Sequence, residues 1–123
     1  IEMTKNTTLV LGASIKEERY SNIAVKLLQE QNINVKAFGL KAGRIDDVLI
    51  DTELLPHQNI DTVTLYIGKK RQPEYYDYII NLQPNRVIFN PGTENSELYA
   101  LLKTNGIKYE VACTLVLLRM GQY

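Results

Sequence analysis

Apolar residues in this chain come in short runs separated by glycine, proline and charged clusters, and the runs alternate between two periods. Residues 8–11 (TLVL) are short, apolar and β-branched in part, and stop at Gly12, the pattern of a buried strand. Over 22–31 the spacing becomes helical, with Ile23, Ala24, Leu27 and Leu28 on one face and Ser21 placed to cap the first turn. Residues 34–38 (NVKAF) predict a second strand, and 48–50 a short one within the ambiguous stretch 46–55. The clearest strand is 62–67 (TVTLYI). A helix over 72–82 follows, with Pro73 in its first turn, where a missing N–H costs little, and Tyr76, Ile79 and Ile80 as its buried stripe. Residues 86–89 (RVIF) end at Asn90-Pro91-Gly92. The pattern then gives a helix over 96–105 with Leu98, Leu101 and Leu102 inside and Gly106 as its stop, a strand over 108–111, and a short helix over 114–120.

Strands alternating with helices of about ten residues imply parallel strands joined by right-handed crossovers. The expected fold is a Rossmann-like three-layer α/β/α sandwich with a mostly parallel sheet of five or six strands. No linker, repeat or low-complexity stretch interrupts it, so residues 1–123 read as one domain. With 45% hydrophobic residues, the chain has enough apolar material for a packed core.

Charge and rare residues narrow the function. Fourteen basic and fourteen acidic residues leave zero formal charge, which disfavours a duplex nucleic-acid binder or a basic membrane-docking surface. A single cysteine, Cys113, makes neither an internal disulfide nor a cysteine-rich zinc site, and a single histidine, His57, makes no paired-histidine metal site. The longest apolar run, 111–118, is far short of the roughly 20 residues that span a bilayer. The start, IEMTKNTT, lacks a basic segment leading into an apolar one, so no signal peptide is expected and a cytoplasmic protein is the default.

In a sheet of this kind, ligands bind beyond the carboxyl ends of the strands, near the point where strand order reverses. The residues placed there are Gly12 to Ser21 after the first strand, Gly39-Leu40-Lys41 after the second, Gly68 to Arg71 after the third long one, and Asn90 to Asn95 after the fourth. Lys16, Arg19, Lys41, Lys69, Lys70 and Arg71 give this rim a local bias toward an anion, against Glu17, Glu18 and Glu94. Phosphate is the natural candidate: the first loop leads into a helix N-terminus, Gly12 permits close backbone approach, and Ser14 and Ser21 carry hydroxyls. The simpler alternative is a glycine that ends a strand beside solvated lysines.

The phosphate ligand can be narrowed. The dinucleotide fingerprint G-x-G-x-x-G is absent, since Ala13 and Ser14 follow Gly12, and so is the P-loop pattern. NAD also calls for an acidic residue near the end of the second strand, where this chain has Lys36 to Lys41 and no acid. A cation there suits a ribose that carries its own phosphate, as in NADP or coenzyme A.

At these residues the sequence resembles the small stand-alone CoA-binding domain proteins, which are similar to the N-terminal CoA-binding domain of the succinyl-CoA synthetase α subunit. The matching blocks are Gly12-Ala13-Ser14 with Arg19-Tyr20-Ser21, then Arg86 to Asn95 (RVIFNPGTEN), then Ala112 to Val116 (ACTLV). The resemblance covers nearly the whole chain. It implies a Rossmann-like fold with coenzyme A or an acyl-CoA as ligand. By it, Gly12, Ala13, Ser14, Arg19, Tyr20 and Ser21 hold the diphosphate, and Lys41 faces the adenosine 3′-phosphate. Gly68 and the Asn90, Pro91, Gly92 and Thr93 turn line the diphosphate and pantetheine side. Two loops depart from the family's usual residues: Lys16-Glu17-Glu18 stand where a proline is common, and Gly39-Leu40 replace Asn-Pro.

Other polar residues have readings of their own. Cys113 precedes a helix, where a thiol can be activated, and is equally well a small packing residue. His57 has no nucleophile beside it in sequence. Tyr75 and Tyr78 sit where a subunit contact could form, which would make the protein a homo-oligomer, although an ordinary amphipathic helix accounts for them. Glu94 suits a helix start better than a general base. With no complete catalytic set in view, the expected function is non-catalytic binding of coenzyme A or an acyl-CoA. An NADP-type nucleotide-binding enzyme and an interaction protein that keeps the fold without a ligand are the alternatives.

Overall fold

A computed structural model describes residues 4–123; residues 1–3, part of the segment read above for a leader, lie outside it. The strands are β1 (Thr7–Leu11), β2 (Asn34–Phe38), β3 (Gly43–Ile45), β4 (Val48–Asp51), β5 (Ile60–Leu65), β6 (Arg86–Phe89) and β7 (Lys108–Val111). The helices are α1 (Tyr20–Glu30), α2 (Tyr76–Leu82), α3 (Ser96–Thr104) and α4 (Thr114–Arg119), with a 3₁₀ segment at Lys69–Tyr75. The strands form one sheet of seven in the order β3-β4-β2-β1-β5-β6-β7, parallel except where β3 meets β4. The α/β/α sandwich is therefore as expected, with seven strands where five or six were predicted.

β1 and β5 are central and covered on both faces, which is why they read as unbroken apolar runs. Alternation along them divides the core in two. Leu9, Leu11, Val63 and Leu65 face Ile79 of α2 and Leu98 and Leu102 of α3. Val10 and Ala37 face Val25 and Leu28 of α1 and Leu118 of α4. β1 feeds β2 on one side while β5 lies on its other side, so the strand order reverses between β1 and β5.

Three local expectations are corrected. The missed strand β3 is only three residues long and pairs β4 through a hairpin turned by Asp46 at φ 51°. Gly43 is required in it, because a Cβ there would fall on Ile15 Cγ2. Helix α1 starts at Tyr20, so Arg19 is the N-cap without a side-chain bond, and Ser21 is a buried first-turn residue. The helix predicted over 72–82 is two pieces: the 3₁₀ segment carries Pro73 inside it, and α2 begins only at Tyr76. A 3₁₀ turn advances about 120° per residue instead of 100°, which rotates the apolar stripe. Tyr75 enters the core edge-on to Phe38 at 5.6 Å, and Tyr76 and Ile80 are only half-buried.

Candidate functional site: a basic cleft at the strand-order reversal

The loop from β1 to α1 is held close to β2. The N–H groups of Gly12 and Ala13 both donate to the Phe38 carbonyl, at 2.9 and 2.7 Å. Gly12 adopts φ +108°, and a Cβ on it would crowd Ile67 Cγ1 and the Tyr66 carbonyl carbon at 3.0 Å. Across the contact, a Cβ on Gly39 would land on the Ala13 carbonyl oxygen. Two glycines thus let three strand ends meet at one point, a reason for glycine at 39 that does not involve a ligand.

Beyond this junction opens a cleft of about 730 Å³. Gly12 to Lys16 and Glu18 to Ser21 form one wall, and Phe38 to Lys41 another. Tyr66, Ile67, Gly68, Arg71, Tyr75 and Pro91 complete it. The cleft therefore gathers Gly12, Ala13, Ser14, Arg19, Tyr20, Ser21, Lys41, Gly68 and Pro91 of the predicted site residues. Four cations line it, Lys16, Arg19, Lys41 and Arg71, against one carboxylate, Glu18. Glu17 is turned away and pairs with Lys26 at 3.6 Å. Among the described residues, no acceptor takes the N–H of Tyr20 or Ser21 in the first turn of α1, so both are available to an anion. The Ser14 hydroxyl accepts from the Lys16 N–H at 3.1 Å, leaving its own proton to donate. Gly12 and Ala13 shape the cleft, but their N–H groups are already committed to Phe38.

Asn90, Gly92 and Thr93 lie outside the cleft. Asn90 is buried and donates to the Thr64 hydroxyl and the Leu65 carbonyl, while its Oδ1 accepts the Thr114 N–H. Thr93 is buried with its hydroxyl donating to the Asn90 carbonyl. Gly92, at φ 91°, gives its N–H to Glu94 Oε1, so Glu94 braces the turn. The block is a structural hub. Gln72 Nε2 donates to the Ile67 and Thr93 carbonyls, and Gln72 Oε1 accepts from Asn95, which caps α3 by accepting from Glu97 and Leu98.

Residues that the sequence did not single out complete the walls: Ile15, Phe38, Tyr66, Ile67 and Tyr75. Tyr66 has its hydroxyl buried without a hydrogen-bond partner. Burial pushes its pKa up to about 12, against the opposing pull of the Thr64 and Thr114 hydroxyls. Lys69 and Lys70 are exposed and lie outside the lining; Cys113, at the N-cap of α4, and His57 are half-buried and also lie outside it. The His57 Nε2 lies 3.9 Å from Asp51 Oδ2. Burial and the nearby Lys36 charge lower its pKa, and Asp51 opposes them.

Fold and cleft define a Rossmann-like domain with a cation-lined notch at its switch point. The chain belongs to the CoA binding domain family, whose model matches residues 6–119. That membership supports a CoA-related binding role. A crystal structure of an uncharacterized protein is similar over 98% of this chain and 100% of its own, at 40% identity and TM-score 0.93. A hypothetical protein from Pyrococcus horikoshii OT3 is 27% identical, with TM-score 0.79, over 92% of this chain and 80% of its own. The cell-free ID.343 protein from Thermus thermophilus shares the fold, with TM-score 0.82 at 18% identity over 97% of this chain and 91% of its own. Among curated proteins no match was found. No described helix is long and apolar enough to cross a membrane.

Proposed function

We propose that this cleft binds coenzyme A or an acyl-CoA, and that the protein acts by binding rather than by chemistry. The observation that carries the reading is the coincidence of four cations and the unengaged first-turn N–H groups of α1 at the strand-order reversal. The N–H groups of Tyr20 and Ser21, the Ser14 hydroxyl and Arg19 would hold the diphosphate. Lys41 would meet the 3′-phosphate, and Ile15, Leu40 and Ile67 offer apolar surface to the rest of the ligand. That His57 and Cys113 stand outside the lining supports a binding role over a catalytic one.

Thermal and chemical unfolding with CoA, acetyl-CoA, dephospho-CoA, NADPH and ADP tests this. CoA at a hundredfold excess over its dissociation constant stabilises the protein by about 2.7 kcal/mol. Stabilisation by NADPH alone would assign the cleft to a pyridine nucleotide. No shift with any of the five would leave the fold without this ligand class.

A further inference from the structure

We propose that β7 pairs antiparallel with β7 of a second copy of this chain, in the register centred on Tyr109, so that Lys108 of each copy faces Glu110 of the other. β7 ends the sheet, and among the described residues no strand pairs its outer edge. The Ala112 N–H donates inward to the Phe89 carbonyl. Strand alternation then turns the backbone groups of Glu110 and Lys108 toward β6 and those of Tyr109 and Val111 outward. An edge strand with unpaired backbone groups is a template for another strand unless its side chains refuse one.

The side chains of β7 favour a copy of themselves. Tyr109 lies on the two-fold axis of the proposed register and would exchange both hydrogen bonds with Tyr109 of the second copy. Residues one position either side of that axis then face each other across the pair. They are Lys108 and Glu110, on the same face of the sheet and of opposite charge, an arrangement that is attractive only when the strands run antiparallel about Tyr109. Glu110 is bonded to Arg86 Nη1 through Oε1 at 2.8 Å and is half-exposed, which leaves Oε2 for a second cation. On the opposite face, Tyr109 is stacked on Tyr99, with ring centroids 4.4 Å apart and 6° between planes. The two-fold would set this pair beside its own copy. Tyr109 and Val111 are also among the exposed large apolar side chains, which a solvated edge has no reason to carry together. Lysine alone on an edge repels a neighbour; lysine and glutamate flanking a central tyrosine select one.

Light scattering after size exclusion at ~100 μM chain reads the outcome, with two variants beside the unaltered protein. Val111→Pro removes an outward N–H that the single copy does not use, and Lys108→Glu places like charges opposite each other. Melting curves for both variants, compared with the unaltered chain, confirm that they fold. The expected result is twice the chain mass for the unaltered protein and a single chain mass for both variants, with Lys108→Glu weakening the dimer at least about tenfold. A monomeric unaltered protein overturns the proposal, as does a dimer indifferent to both variants. A dimer lost only with Val111→Pro shows strand pairing in another register and overturns this one. One lost only with Lys108→Glu shows a charge contact without strand pairing and overturns it too.

Discussion

Asn90 Oδ1 accepts the backbone N–H of Thr114 at 2.9 Å, so the end of β6 caps α4 across 24 residues of chain. The same amide donates to the Thr64 hydroxyl and the Leu65 carbonyl. Asn90→Ala would take this partner from the Leu65 carbonyl and the Thr114 N–H, while the Thr64 hydroxyl keeps the Thr114 hydroxyl at 2.7 Å, at a cost of about 2–3 kcal/mol. Urea unfolding should show the midpoint fall by that amount divided by the slope, with the slope itself unchanged. A loss below about 1 kcal/mol would mean that the block carries little of the fold's stability.

Gly39→Ala tests the junction under the cleft. Its Cβ would fall on the Ala13 carbonyl oxygen and press on the buried Ile50 Cγ2 at 3.0 Å, so the first loop must move. We expect CoA affinity to fall at least about tenfold, measured by calorimetry, with a stability loss of about 1–3 kcal/mol. Gly68→Ala is the control for stability alone, since nothing lies within 4 Å of its Cβ and its φ is −62°.

Lys41→Ala separates the two phosphate subsites. If Lys41 meets the 3′-phosphate, the variant loses about tenfold in affinity for CoA, the equivalent of about 1.4 kcal/mol, and little for dephospho-CoA. The effect shrinks as salt rises, because the side chain is exposed. Equal losses for both ligands would move the adenosine end elsewhere.

His57 gives the pH dependence a sign. Its pKa is lowered in the fold, by burial first and Lys36 next, so the unfolded chain takes up its proton more readily. Its contribution is intact above the unfolded value near 6.5 and is lost as pH falls from there through the lowered folded value. Stability measured by urea unfolding should decline over that window, and His57→Gln should flatten the decline. An unchanged slope would place the titrating group elsewhere.

Tyr66→Phe tests the alkaline limb of the stability curve. Because burial pushes this phenol up to about 12, the fold loses stability as pH rises from 10 toward 12, and the substitution should remove part of that loss in alkaline unfolding curves.

The sequence made some of these features plain and hid others for physical reasons. β1, β5 and β6 are buried on both faces and leave continuous apolar runs, whereas β3 has three residues and one buried side chain. Pro73 was visible, but whether the chain around it turns at 100° or 120° per residue depends on Gln72 bonding to Ile67 and Thr93, a contact across 21 residues. The cleft's position followed from topology alone, and its cations from the loops after β1, β2 and β5. The resemblance implies ligand contacts for Asn90 and Thr93, and the structure has both side chains in the interior; in sequence, a polar side chain after a strand looks the same whether it faces solvent or the interior. Buried amides that satisfy one another, as Gln72 and Asn95 do, or that satisfy nearby backbone and hydroxyls, as Asn90 does, are the signal that separates the cases. Phe38 and Tyr66 are hard to see as cleft residues because apolar residues at strand ends read as core, and Tyr75, which the sequence offers for a subunit contact, is turned inward by the 3₁₀ segment.

The place of β1 between β2 and β5 has a consequence for how the protein comes into being. Its first neighbour in the sheet, β2, begins at Asn34, but the second starts only at Ile60. A chain emerging from the ribosome therefore exposes one flank of its innermost strand until β5 has followed it out. The cleft, whose far wall is Tyr66, Ile67, Gly68 and Arg71 just after β5, is completed only when that gap closes.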